Sequence, residues 1–233
     1  MRKKAIFLIL LIFVLANCQP SAQGAARPRL LVLGDSLSVG LYATSESNAF
    51  KHLLAAKLEA DLASCRGSNL QHIVICWDEY QAWQPDIVVI EIGLNDVSNF
   101  NGLAMAEEEW VDTYASFVET IQATGARVVV TTMFHGRQPS NPLYATYEQY
   151  NDHITQIAAE SGATLADVWT ATKDCAGCIS DPNVTAAFGP GWAGDNFHPS
   201  DLGHAVIAET ITAVFLNRFT YLPFAAQGEE ESQ

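Results

Sequence analysis

The sequence is poor in charge, and poorest in positive charge. Charged residues are 16% of its 233 positions, and 12 Lys and Arg stand against 26 Asp and Glu, a formal net charge of −14. A field of that sign repels phosphate backbones, so no nucleic-acid partner is expected. Scarce charge does not mean disorder here: with 49% hydrophobic residues the chain can bury a substantial core. Long apolar runs are also missing near the start, where the run from Ala5 to Ala16 stops well short of the ~20 residues of a spanning helix. Only one close cysteine pair occurs, Cys175-Ala176-Gly177-Cys178. No second such pair completes a zinc site, and Ile179 stands where haem attachment would need histidine, so a structural role is favoured over a metal or redox one.

Arg2, Lys3 and Lys4 ahead of that short apolar run give the shape of an export signal over residues 1–26. Two endings are open. Leu15-Ala16-Asn17-Cys18 is similar to a bacterial lipobox, which would attach the protein to a membrane through a lipidated Cys18, although Asn17 replaces the usual small residue. The small-residue stretch Ser21 to Ala26 instead suits ordinary cleavage and a soluble secreted or periplasmic protein. Either way the exported chain loses three cations, leaving 9 against 26 acids and a charge of −17. Cys65, Cys76, Cys175 and Cys178 then allow two disulfides in an oxidising compartment without fixing the pairs.

Along residues 27–224 strands and helices alternate. Apolar runs bounded by turn residues predict strands over Arg29–Leu33, Asp61–Cys65, Asp86–Ile92, Arg127–Met133 and Thr164–Val168. Helical spacing predicts helices from Asn48, which is placed to cap the first turn, over Leu70–Trp77, Glu107–Ile121, Tyr147–Ala159 and Leu202–Phe215, the last capped by Ser200. Thr170 to Phe197 reads as irregular, and the polar, acidic end of the chain (225–233) as a mobile tail. No repeat or linker divides the domain. Five such strands joined by helical crossovers require a mostly parallel sheet covered on both faces, an α/β fold whose functional loops collect beyond the strand carboxyl ends.

Four pieces reach that edge. Gly34-Asp35-Ser36-Leu37 follows the first strand, Gly67 the second, Gly93-Leu94-Asn95-Asp96 the third, and Asp195-Asn196-Phe197-His198 precedes the last helix. Ester hydrolysis by serine needs a hydroxyl, an imidazole to take its proton, a carboxylate to orient that ring, and donors for the oxyanion, and these residues supply each. Asp96 is expected to brace its loop and Ser38 to serve the helix start. The remaining histidines, His52, His72, His135, His153 and His204, have no matching partner motif.

These four blocks, in this order, resemble those of the SGNH hydrolases, also called GDSL esterases and lipases. The resemblance implies a flavodoxin-like three-layer α/β/α sandwich, Ser36 as nucleophile, Asp195 and His198 completing a triad, and an oxyanion hole from the Ser36 amide, Gly67 and Asn95. Cys65-Arg66-Gly67-Ser68-Asn69 departs from the family's second block, which has another small residue shortly after the glycine. No metal or cofactor is implied, and activity that depends on a neutral imidazole falls on acidification. Fatty acyl esters, thioesters, lysophospholipids and acetylated sugars all fall within the family's range. The loops Tyr42–Asn48, Phe100–Met105, Phe134–Tyr147 and Thr170–Trp192 would decide among them, with Phe100, Phe134, Tyr144, Phe188 and Trp192 as walls or core, and Arg66 or Arg137 as local cations. Two alternatives stand beside the esterase: a non-catalytic cell-envelope module binding carbohydrate on the same fold, and a carboxylate-based glycosidase, for which no acid pair stands out.

Overall fold

In the computed structural model the described residues are 26–99, 105–136, 140–180 and 197–219, with side chains through Phe215. The export signal with Cys18, Phe100, Arg137, Phe188, Trp192, Asp195 and the acidic tail lie outside them.

Five strands form one sheet: β1 (Arg29–Gly34), β2 (Asp61–Arg66), β3 (Ile87–Glu91), β4 (Arg127–Thr131) and β5 (Thr164–Ala166). All four pairings are parallel and the order is β2-β1-β3-β4-β5. Burial on both faces explains the unbroken apolar strings of the central strands, as in Leu30 to Leu33 and Ile87 to Ile90, which are at most 1% exposed. The edge strand β2 is only half-buried, and carries Asp61, Ser64 and Arg66 accordingly.

The crossovers carry α1 (Ser36–Val39), α2 (Phe50–Lys57), α3 (Leu70–Tyr80), α4 (Leu94–Val97), α5 (Glu107–Gln122) and α6 (Tyr144–Ser161), and α7 (Val168–Lys173) and α8 (Asp201–Phe219) follow the last strand. Helices α2 and α8 pack together, whereas α5 packs against both α3 and α6, giving the helical layers of an α/β sandwich. Two disulfides pair Cys65 with Cys76 and Cys175 with Cys178. The first ties β2 to α3; the second closes the turn after α7. Among the described residues no helix is long and apolar enough to cross a membrane.

Three local expectations need correction. Asn48 does not cap α2: its Nδ2 donates to Asp201 at 2.9 Å and to Thr44 Oγ1 at 3.0 Å, and Ala49 occupies the capping position. Asp201 also accepts from the Thr44 N–H and hydroxyl, so the amide is drawn into a loop-to-α8 clasp. The fifth strand ends at Ala166, not Val168, because Asp167 accepts the Thr170 N–H and starts α7 at Val168, and α7 runs on into the stretch read as irregular. Ser200 does cap α8, accepting from Gly203 N–H at 3.2 Å.

His204, one turn into α8, is fully buried, stacked on Phe50 with ring centres 6.3 Å apart. Burial, the largest influence, lowers its pKa from 6.5 to about 4. The unfolded chain therefore binds the extra proton first, and this histidine's contribution to stability is lost as pH falls from 6.5 towards 4. It amounts to ~3 kcal/mol. In urea titrations the stability difference between wild type and His204→Gln is expected to shrink by about that much from pH 7.5 to pH 4. Other titrating groups are common to both proteins and cancel; a pH-independent gap would refute the assignment.

Candidate active site

The register aligns the site. Gly34 pairs with Arg66 on one side and Glu91 on the other, so β1, β2 and β3 end in one row. The chain reverses its direction of growth along the sheet between β1 and β3, the crevice where ligands bind in such folds. Ser36 opens α1 and Asn95 is the second residue of α4, two short helices on either side of it.

Ser36 is held by Asp35, whose Oδ1 accepts the Leu37 N–H at 2.9 Å and caps α1. The other carboxylate oxygen of Asp35 accepts from Asn95 Nδ2 at 3.1 Å. One carboxylate thus sets both the serine turn and the amide that faces it. Ser38 turns inward, donating to the Asp35 carbonyl at 2.7 Å in a buried position, and so serves the turn.

Ser36 Oγ lies 2.8 Å from His198 Nε2, although 162 residues separate them in the chain. That is hydrogen-bond reach for a nucleophile and its base. The imidazole stands between two rings, Tyr42 with centres 5.1 Å apart and Phe197 at 5.0 Å. Tyr42 holds φ at 67°, a left-handed backbone uncommon for a bulky residue. Behind the ring, the His198 carbonyl accepts from Ser180 N–H at 2.8 Å, and the Cys178 carbonyl accepts from Ser200 N–H at 2.8 Å. The Cys175–Cys178 turn therefore braces the segment that presents His198.

Gly67 is placed at the expected edge, but its N–H donates to the Gly34 carbonyl at 2.9 Å. It extends the sheet, and serving as an oxyanion donor would require that bond to open or fork. Its need for glycine has another source: a Cβ would sit 2.6 Å from Ile73 Cγ2, where α3 crosses the strand end. Gly93 has φ of 130° and a close neighbour in Met133, which fixes the entry to α4. Asp96 braces as expected, accepting the Leu70 N–H at 3.1 Å and so linking the second and third loops.

A buried carboxyl cluster lies beneath. Glu91, the last residue of β3, is 2% exposed, and a Cβ added to Gly34 would lie 3.0 Å from its Oε2. Burial pushes its carboxyl well above the ordinary range, reinforced by the nearby Asp35 charge. Asp35 itself is raised from 3.8 to about 6, chiefly by burial and against the Leu37 hydrogen bond and His198. Sequence reading missed both roles. A lone carboxylate inside an otherwise β-branched, apolar strand was the available signal for Glu91. Among the described residues no group of three or more His, Cys, Asp or Glu assembles that could hold a metal ion.

A family model described as GDSL-like lipase/acylhydrolase matches residues 32–206, from within β1 into the first turns of α8. The chain belongs to that family. The match takes in Gly34 to Leu37, at the end of β1. A curated relative, the acetylxylan esterase of Geobacillus stearothermophilus, is 25% identical over 150 residues, 61% of this chain. That match spans 65% of the esterase's length. Among solved structures, an alpha/beta hydrolase enzyme from the metagenome of Lake Arreo, Spain, superposes with a TM-score of 0.65 at 21% identity, covering 82% of this chain and 95% of that one. The crystal structure of the Geobacillus stearothermophilus acetylxylan esterase gives 0.62 at 21%, covering 80% and 93%. These likenesses establish that this GDSL-like chain has the fold of its structural neighbours.

Proposed function

We propose that the protein is a serine ester hydrolase that removes acetyl groups from carbohydrate. The observation that carries it is the 2.8 Å approach of Ser36 Oγ to His198 Nε2 beside an Asn95 amide held by Asp35. Binding alone needs no such pairing, which speaks against a non-catalytic module.

In this mechanism Ser36 Oγ attacks the ester carbonyl carbon as its proton passes to His198 Nε2. The carbonyl oxygen becomes an oxyanion facing the Ser36 N–H and the second hydrogen of Asn95 Nδ2, whose first is committed to Asp35. The bond from the tetrahedral carbon to the sugar oxygen then breaks, and His198 gives its proton to that oxygen, which leaves as a hydroxyl. Water, activated by the same imidazole, attacks the acyl-enzyme and releases acetate and free Ser36. Asp195, proposed from its sequence motif, would orient His198 through Nδ1. The carbohydrate specificity draws on the acetylxylan esterase among the relatives.

Two substrate series test this reading. Activity on p-nitrophenyl esters is expected to be highest for acetate and to fall with acyl length, and acetylated xylooligosaccharides are expected to release acetate. Preference for long acyl chains, with no acetate released from sugars, would overturn the substrate assignment while leaving the esterase chemistry intact.

A further inference from the structure

Beyond the ends of β4 and β5 lies a cavity of about 320 Å³, lined by His135, Tyr144, Thr172, Lys173, Cys175 and Ile179. That volume is at the small end of those that hold small ligands. Two rings line it, His135 and Tyr144, with Trp169 packed behind them. His135 stands with ring centres 4.4 Å from Trp169 and 5.6 Å from Tyr144, and its Nε2 lies 2.9 Å from the Tyr144 hydroxyl. The His135 N–H donates to Thr172 Oγ1 at 3.0 Å, which locks the loop after β4 onto α7. Lys173 and Asp174, both exposed, add one cation and one anion to the lining.

The segments that line the cavity are tied by backbone contacts to the segment that carries His198. Ile179 forms an antiparallel bridge with Pro199, and Ser180 N–H donates to the His198 carbonyl at 2.8 Å. Gly136 packs so tightly on the same segment that a Cβ there would fall 2.1 Å from the Phe197 carbonyl oxygen. The wall residue Ile179 thus meets one chain neighbour of the histidine, and the residue after His135 meets the other. Ring surfaces with an ammonium and a carboxylate beside them suit a ligand with an apolar face and a rim of hydroxyls, which can both accept and donate. An acyl chain would gain nothing from Lys173 or Asp174.

The geometry points to a sugar subsite in this cavity, taking an unesterified pyranose unit of the oligosaccharide whose acetylated unit meets Ser36. The inference rests on the carbohydrate reading above. Deacetylated xylooligosaccharides titrated calorimetrically into Ser36→Ala protein are expected to bind, and adding Tyr144→Ala with Asp174→Ala to weaken binding by ~10-fold or more. Tyr144→Phe, which keeps the ring, should retain most of it. With Ser36 present, the Tyr144→Ala, Asp174→Ala pair should raise KM for acetylated oligosaccharides by a similar factor, with kcat and p-nitrophenyl acetate hydrolysis unchanged. Binding indifferent to these substitutions, or absent from protein that nonetheless deacetylates oligosaccharides, overturns the subsite. Failure to deacetylate any sugar counts against the substrate reading alone; pocket-dependent binding would then still support the subsite.

Discussion

Ser36→Ala is expected to lower kcat on p-nitrophenyl acetate by roughly 10⁵- to 10⁶-fold, the loss seen when a serine nucleophile is removed from such a site. KM should change little, since the hydroxyl touches the substrate's reacting carbon and contributes little to ground-state binding. His198→Ala should cost about as much, and the double variant scarcely more, because two groups 2.8 Å apart that act as one unit are not additive. The measurement is steady-state kinetics together with labelling by a fluorophosphonate, which reacts with an activated serine hydroxyl. Wild type should label and Ser36→Ala should not. Undiminished labelling of the variant would remove Ser36 from the mechanism, and with it the proposed chemistry.

Asn95→Ala should lower kcat by about 10²- to 10³-fold, equivalent to ~3–4 kcal/mol of transition-state stabilisation, with KM again little altered. Its signature differs from that of the nucleophile: labelling at Ser36 slows but persists. Asn95→Asp should be worse than alanine. It sets a carboxylate where negative charge develops and, in place of the 3.1 Å hydrogen bond, against the buried Asp35 carboxylate. That variant should therefore lose thermal stability as well as activity, and regain part of the stability at acidic pH as one of the paired acids takes a proton. An aspartate variant as active as wild type would show that Asn95 does not face the oxyanion.

The five strands and the meeting of Ser36 with His198 were legible because each depends on patterns short enough to read: apolar runs bounded by turn residues, and polar residues placed just past them. The position of Asn95 just past the third strand was legible for the same reason. Glu91 was not, since a single acid in the buried string Ile87 to Glu91 reads as the end of a strand until the residues behind it are known. Asp35 was hidden differently. It looked like part of the serine motif, whereas its two oxygens join the serine turn to the Asn95 loop across 60 residues of sequence. Asn48 and Asp167 show the limits of capping rules: the first had a better partner in Asp201, and the second stopped a strand that its apolar neighbours would have continued. Gly67 was located correctly, but its amide direction depends on pairing with Gly34.

The 162 residues between the hydroxyl and the ring that touches it mean that no local segment contains the reactive pair. Its assembly requires the first strand and the final helix of the described fold to find each other, with everything between them in place. Turnover is thus a yes-or-no gauge of complete tertiary organisation: chains that have collapsed, or that have only their secondary structure, are silent in an ester assay. Recovery of catalysis during refolding should accordingly be the last optical or chemical signal to return.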